Sequence, residues 1–254
     1  MKNLEDELKR LKDDGRTFLG MDGGDIKSSI WFCGIEFGGK LDDMVEYYKS
    51  PTVRFNSIEE FDLPIPYRKD AGGYKNSFYD RYLSAMYINL FKDEKLKNGY
   101  DISDRIDEII QNELYNKNSK IFKLNLYPLG KKDTSWDKDI TNKTLITKDQ
   151  YYNEIFDKRK MFMKELVNKF NPRRIICTVT NGMEEEFVNA FLNRNKIVDI
   201  SSEYIKTTSK KEFKISKYKT NKITVIVIPF LGRCNLNSYN DVIFMADYLR
   251  NNYF

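Results

Sequence analysis

Four apolar, β-favouring runs, separated by helix-forming sequence, set the strongest limit on how this chain can fold. They are IWFC at 30–33, KIFKLNL at 120–126, RIICTV at 174–179 and ITVIVI at 223–228. Strands that are apolar along most of their length are typical of parallel strands with helices on both faces. The sequence therefore predicts an α/β fold, a three-layer α/β/α sandwich around a central four-stranded, mostly parallel sheet.

The sequence around these runs predicts the remaining elements. Leucines at three- and four-residue spacing predict an N-terminal helix over 3–14. Further helices are predicted over 41–49, 76–97, 102–115, 144–170, 182–192 and 241–250. Alternating charged and apolar residues over 211–218 predict a half-buried edge strand that pairs with the last run. With no repeat or low-complexity linker, we expect one domain over 1–254, with a large insert at roughly 50–118.

Residue usage excludes several kinds of site. The chain has no histidine, which removes Ser-His and Cys-His nucleophile pairs, histidine-ligated metals and a histidine general acid. Cys33, Cys177 and Cys234 lie far apart without a C-x-x-C pair, which predicts reduced thiols rather than a zinc or iron–sulfur site. Acid–base chemistry must come from carboxylates, Lys, Tyr or Cys.

The distribution of apolar residues also bears on location and partners. No apolar run approaches the ~18 residues of a membrane span, and the charged N-terminus is unlike a signal peptide. The sequence thus predicts a soluble, cytoplasmic protein with no membrane association, and it gives no sign of an obligate protein partner.

The segment GIEFGG at 34–39 follows the first run and places three glycines around one carboxylate, Glu36. Ligands in open α/β sheets bind at the carboxyl ends of strands, where glycines allow close approach of the backbone. An ordinary turn with a solvated Glu36 is the plain alternative. A phosphate-binding loop is a weaker one, because Leu41 stands where Ser or Thr should follow Lys40, and Glu36 would repel phosphate. Asp22 could line the same site, although acids beside glycines more often form turns; the same holds for Asp25.

Three segments, in order, resemble the motifs of the uracil-DNA glycosylase superfamily. The stretch GIEFG at 34–38 matches a strand-one motif that takes forms such as GQDPY, GINPG or GMNPG. Asn125 ends the KLN of the second run, as an Asn ends LLLN in the superfamily. The IPF at 228–230 aligns with the loop after the last strand, HPS in many members. The resemblance spans about residues 28–250.

The resemblance implies a reaction with no metal and no organic cofactor, and it implies roles for particular residues. Glu36 would orient or deprotonate the attacking water, and Asn125 would read the edge of a flipped base. Alternatively, Asn125 could simply cap the turn before Pro128. The base pocket would be formed by Gly34, Ile35, Phe37, Gly38 and Asn125. DNA contacts would come from Phe230, Leu231, Arg233, Asn235, Lys217 and Lys219. Phe230, Leu231 or Leu236 could act as a wedge in the base stack.

Two further stretches could contact DNA. The segment 206–222 contains seven lysines and only one acidic residue. These lysines could contact phosphates, or they could simply protect a solvated strand edge. The aromatic-rich segment 55–82, or Tyr47 or Tyr48, could supply the face on which a base stacks.

Departures from the superfamily pattern narrow the expected activity. The histidine that assists the leaving base is missing, and Phe37 replaces the usual Pro. Gly38 stands where uracil-specific members carry a Tyr that blocks C5 of the base, so the pocket should be open on that side. With these departures, the resemblance implies a monofunctional DNA glycosylase for a C5-modified pyrimidine, such as hydroxymethylated or glucosylated cytosine in phage DNA, with a role in antiviral defence. The alternatives are a base-excision repair glycosylase for uracil or damaged pyrimidines, and an inactive α/β module that binds nucleic acid or nucleotide.

Overall fold

The structure is a computed structural model that describes residues 4–17, 19–38, 41, 77–92, 101–114, 116, 118–131, 136, 138–180, 182–207, 209–232 and 235–254. The strands are β1 (Met21–Gly24), β2 (Ile30–Gly38), β3 (Phe122–Lys131), β4 (Arg174–Val179), β5 (Asp199–Lys206), β6 (Glu212–Lys219) and β7 (Thr224–Pro229). The α-helices are α1 (Leu4–Asp13), α2 (Phe78–Phe91), α3 (Asp101–Ile109), α4 (Lys138–Thr144), α5 (Phe156–Phe170), α6 (Glu184–Phe191) and α7 (Tyr239–Tyr253). Two π-helical segments, Ile110–Leu114 and Gln150–Ile155, and a 3₁₀ turn, Arg194–Lys196, complete the described elements.

The described strands form one mixed sheet in the order β1-β3-β2-β4-β7-β6-β5. Strand β2 pairs in parallel with β3 and β4, and β4 pairs in parallel with β7. The antiparallel strands β1, β6 and β5 extend the sheet at its two sides. The α/β class is thus confirmed, but the sheet has seven strands and is larger than the predicted four-stranded centre with one edge strand.

Strand β2 shows why the apolar runs form buried strands. Trp31 and Cys33 point into a core cluster that also contains residues of α5 and α6. Ile30 and Phe32 point into a second cluster, shared with α2, α3 and α7. Because alternate side chains of a strand face opposite sides of the sheet, a strand covered on both faces needs apolar residues at every position.

The predicted ends of β2 and β3 were wrong. The prediction ended the first strand at Cys33, yet β2 continues through the glycine-rich segment to Gly38, whose partner is Lys131. Strand β3 likewise runs through Pro128 to Lys131. The two strands continue together with a shift of register between Glu36 and Gly38. Irregular pairing of this kind tolerates a proline, which cannot donate a ladder hydrogen bond.

The strand predicted over 211–218 is confirmed as β6 and pairs with β7 as expected, but its predicted place at the edge of the sheet was wrong. Strand β6 lies inside the sheet, and β5 is the edge strand next to it. Strand β5 (DISSEYIK) is exposed at every position except Ile205, so it lacks the apolar alternation by which a strand is predicted. The four-residue β1 (MDGG) escaped prediction because glycines are poor strand formers.

The helices largely follow the sequence pattern, with α1 observed where a helix was expected over 3–14. Within the insert, α2, α3 and a π-helical turn are described, whereas 51–76 and 93–100 lie outside the described residues. Of the helix expected over 41–49, only Leu41 is described. Among the described residues, no helix is long and apolar enough to cross a membrane.

The pairing of β1 with β3 makes a prediction about Gly24. Gly24 has φ +93°, and a Cβ there would lie 2.1 Å from the carbonyl oxygen of Ile121. Gly182 has φ +86°, but a Cβ would meet no described atom within 4 Å. We expect Gly24→Ala to lower the free energy of unfolding by about 3 kcal/mol or more, and Gly182→Ala by about 1 kcal/mol. Urea denaturation of both variants checks this; equal losses would show that backbone strain, not the contact with Ile121, is what matters.

Candidate functional site

A buried ionic cluster joins β1, β3 and the first turn of α2. The Nζ atom of Lys123 donates to Oδ2 of Asp22 and lies 3.3 Å from Oδ1 of Asp80. These three side chains are between 1% and 5% exposed. Asp22 lies at a break in the register between Met21 and Gly23, and such bulges redirect side chains. The break lets the Asp22 carboxylate meet side chains from β3.

Asn125 extends this cluster along β3. Its Nδ2 donates to the same Oδ2 of Asp22 at 2.8 Å, and its backbone N–H donates to the carbonyl of Gly20 at 2.6 Å. Its side chain therefore bonds to β1, not to the turn before Pro128. Asn125 stands directly opposite Gly34 in the parallel pairing of β3 with β2.

The backbone at Gly34 is closely covered by two polar groups, and we call this place the Gly34 site. A Cβ at Gly34 would lie 2.7 Å from Oδ1 of Asn125 and 3.3 Å from the hydroxyl of Tyr79. A real Cβ cannot approach so closely, so only glycine lets the Asn125 amide reach this position. The glycine that interrupts the apolar run thus has a definite structural reason.

Tyr79 from α2 covers the site and connects it to other strands. Its hydroxyl is 2.9 Å from Oγ1 of Thr178, at the end of β4. Its ring lies 4.9 Å from Nζ of Lys123 and 5.5 Å from the ring of Phe230, in the loop after β7. Burial raises the pKa of Tyr79, although Lys123 opposes this, so the phenol stays neutral at physiological pH. Tyr79 therefore offers a neutral hydroxyl and an aromatic face.

The charges of the cluster are set by burial and by mutual attraction. Burial alone would lower the pKa of Lys123, but Asp22 and Asp80 outweigh burial and raise it. Burial also raises the pKa of Asp22, an effect that Lys123 opposes. Lys123 is therefore a protonated ammonium held between two carboxyl groups, and it serves as a cation rather than as a nucleophile.

The structure places the segment 34–38 beside β3. The backbone of Glu36 pairs with that of Tyr127, but the side chains of 36–38 lie outside the described part of the chain. The side chain of Ile35 is buried in the cluster with α5 and α6, so only its backbone is placed to contact a ligand at Gly34. The segment therefore lies within β2, as strand rather than as turn.

Tyr127, opposite Glu36, belongs to an aromatic group that the sequence did not reveal. Its ring stacks on Phe156 at 4.8 Å, and its hydroxyl donates to Glu186 in the first turn of α6. Trp136 and Tyr152 lie against the same group. These rings hold the carboxyl end of β3 against α5 and α6.

The loop after β7 differs from the predicted wedge. Leu231 and Leu236 are fully buried and form a bridge with each other, so neither is an exposed wedge in this structure. Phe230 is half-buried beside Tyr79. Asn235 is half-exposed, and its backbone N–H donates to the carbonyl of Gly232. Arg233 lies outside the described residues.

The lysine-rich segment lies along β6 and its flanking turns, where acids offset part of its charge. Lys217 pairs with Asp199 on the neighbouring β5 at 2.8 Å, whereas Lys219 is exposed. Lys211 donates to Oδ1 of Asn237 at 2.5 Å, which connects this segment to the loop after β7. The loop and the exposed lysines thus lie near one another.

Comparison with known proteins gives no family assignment: no protein-family model matches the chain, and no curated protein matches it. Within the described residues, no group of three or more His, Cys, Asp or Glu could hold a metal ion.

The sequence could have signalled part of this cluster. A lysine inside the apolar run KIFKLNL must find a buried partner, and Asp22 was one of the two acids considered for the site. Asp25, the other, instead accepts from the backbone N–H of Lys27 as a turn residue. The sequence offered Tyr79 only as part of the aromatic-rich segment 55–82 and gave no signal for Asp80, because α2 is brought to the sheet only by tertiary packing.

The ionic cluster makes a prediction about stability and pH. Lys123→Met would leave two buried carboxyl groups without their cation, and we expect a loss of about 3–5 kcal/mol at pH 7. Because burial raises the pKa of Asp22, the variant gains stability as this carboxyl is protonated, so the loss should shrink from pH 7 to pH 5.

Urea denaturation at both pH values measures this loss. The control is Lys217→Met, which removes a partly exposed pair with Asp199 and should cost less than about 1 kcal/mol. An equal loss for Lys123→Met at both pH values would contradict the proposed charge state.

Proposed function

We propose that this chain is a monofunctional DNA glycosylase that flips a pyrimidine out of DNA and hydrolyses its N-glycosidic bond, leaving an abasic site. The observation that carries the proposal is the register of β2 and β3, which sets Gly34 directly opposite Asn125. Two of the three segments that resemble the uracil-DNA glycosylase motifs therefore lie side by side. We also propose that β3-β2-β4-β7 is the parallel centre of a three-layer, glycosylase-like fold.

The third segment supports the proposal through Tyr79. Phe230 follows β7 and packs on Tyr79, whose hydroxyl lies over Gly34 beside Asn125. One tyrosine thus contacts all three segments. An aromatic face next to a base-reading amide is the arrangement that holds a flipped base by stacking and hydrogen bonding.

The chemistry assigned to Glu36 follows from the charge that develops in the reaction. As the bond from the sugar C1′ to the base breaks, the sugar becomes oxocarbenium-like and the departing base carries the electron pair. A carboxylate at Glu36 would stabilise the cationic sugar and accept a proton from the attacking water. The water oxygen bonds to C1′, the departing base takes up a proton from solvent, and Glu36 releases the proton it accepted to solvent.

The charge of Lys123 supports a reaction without a lyase step. Such a step needs an unprotonated amine that can attack C1′ and form a Schiff base. Lys123, the lysine of the cluster beneath Tyr79, is held protonated between Asp22 and Asp80. This supports simple hydrolysis by water, with the neutral Tyr79 hydroxyl and the Asn125 amide as polar groups near the base.

We further propose that the substrate is modified at C5, because Gly38 supplies no side chain on that side of the base. Removal of hydroxymethylated or glucosylated cytosine from phage DNA in the cytoplasm fits this opening. Repair of uracil or damaged pyrimidine by the same reaction is the second candidate.

An abasic-site assay tests the reaction, with alkaline cleavage as the readout. Substrates are uracil-containing DNA, unmodified DNA, and phage DNA with hydroxymethylated or glucosylated cytosine. We expect abasic sites in the modified DNA, and a loss of about 10²–10⁴-fold in rate for Glu36→Gln with DNA binding retained. Glu165→Gln, at an exposed pair with Arg16, is the matched control and should keep full activity.

The other outcomes are also informative. Cleavage of uracil DNA alone would keep the glycosylase and remove the argument from Gly38. No abasic site on any substrate, together with unchanged DNA binding by Glu36→Gln, would favour the inactive binding module. A rise in melting temperature with ATP or GTP and Mg²⁺ would indicate the nucleotide-binding form of that module.

The proposed stacking role of Tyr79 gives a separate prediction. Tyr79→Ala removes the aromatic face and should lower kcat/KM by about tenfold or more, whereas Tyr79→Phe keeps the ring and should cost less than about threefold. Tyr82→Phe is the control on the same helix, since its hydroxyl bonds to the Asn237 carbonyl instead. Steady-state kinetics measure the change; equal effects of Tyr79→Phe and Tyr79→Ala would assign the effect to the bond with Thr178.

A further inference from the structure

The side-chain amide of Asn125 uses only one of its two polar atoms in a hydrogen bond to another described residue. Its Nδ2 donates to Asp22, whereas its Oδ1 faces Gly34 and has no hydrogen-bond partner among the described residues. The residue is 2% exposed. The amide oxygen is thus able to accept a hydrogen bond from a ligand that reaches Gly34.

Asp22 decides which end of the amide is open. A carboxylate only accepts hydrogen bonds, so the amide must turn its nitrogen to Asp22 and its oxygen away. The protonated Lys123 donates to the same carboxylate oxygen and holds Asp22 in place. The bulge in β1 directs Asp22 at both partners. Asp22 and Lys123, both on strands, thus fix one orientation of the Asn125 amide.

We propose that Asp22 is a positioning residue for base recognition, which holds the amide nitrogen of Asn125 so that its oxygen receives the ligand at the Gly34 site. The inference rests on the proposed glycosylase function. A group that binds there must bring an N–H donor. Two base edges supply one: the 4-amino group of a cytosine-type base and the N3–H of a uracil-type base. An amide held in one orientation should distinguish the two edges, because cytosine-type and uracil-type bases carry their hydrogen-bond acceptors at different positions beside the N–H donor.

The test compares two variants that alter the same ionic cluster. Asp22→Asn removes the carboxylate that bonds to both Asn125 and Lys123. Asp80→Asn removes the carboxylate that contacts Lys123 but not Asn125. Each variant takes one negative charge from Lys123, so a purely structural role would move both alike. The readout is the ratio of kcat/KM for a cytosine-type over a uracil-type substrate.

We expect the wild-type protein to prefer one base type, and Asp22→Asn to change the ratio by about tenfold or more toward equality. Asp80→Asn should change the ratio by less than about threefold, even where it lowers stability. Equal changes in both variants, or an unchanged ratio in Asp22→Asn, would overturn the positioning role. Which base type the wild-type protein prefers identifies the donor.

A second measurement separates this inference from the proposed function. The side-chain amide signals of Asn125 in ¹⁵N–¹H spectra, identified by their loss in Asn125→Ala, report its bond to Asp22 directly. We expect Asp22→Asn to shift them and Asp80→Asn to leave them nearly unchanged. Base release without such a shift would keep the glycosylase and overturn the role of Asp22. A shift without base release on any substrate would keep the orientation of Asn125 and overturn the glycosylase.

Discussion

The ammonium group of Lys123 imposes the strictest physical demand on this structure. An unpaired charge in a protein core costs many kcal/mol, so the strand that carries Lys123 can be buried only where carboxylates meet it. Asp22 comes from β1 and Asp80 from α2, which are distant in sequence from β3. The ion pairs therefore couple the formation of β1, the pairing of β3 and the docking of α2 on the sheet.

The position of Asp22 depends in turn on contacts far from the site. Arg159, fully buried in α5, donates to the carbonyls of Thr17 and Leu19 just before β1. The hydroxyl of Thr17 donates to Glu7 of α1 at 2.8 Å. These bonds fix the chain that leads into β1, so a helix on the opposite face of β3 supports the orientation of Asn125. A pre-organised site commonly needs such support, because the side chains that contact a ligand are held in place by the residues packed behind them.

The sequence predicted most of the fold through particular residues. IWFC, RIICTV and ITVIVI are apolar at nearly every position, and each forms a strand covered on both faces. Strand β5 escaped prediction because an exposed edge strand carries no apolar pattern. The end of β2 was placed too early because glycine weakens a strand on its own, whereas here Asn125 and Tyr79 cover Gly34. Local propensity could not include partners that arrive from elsewhere in the chain.

For the site, the sequence by itself determined which chemical groups are available. It excluded histidine and paired cysteines, and it placed Gly34 and Glu36 just after one predicted strand and Asn125 within another. Only the tertiary structure set Gly34 opposite Asn125, turned the Asn125 amide by its bond to Asp22, and brought Tyr79 over both. The physical reason is that hydrogen bonds and ion pairs act over a few ångströms, so they are decided by chain packing that brings residues 22, 79 and 125 together.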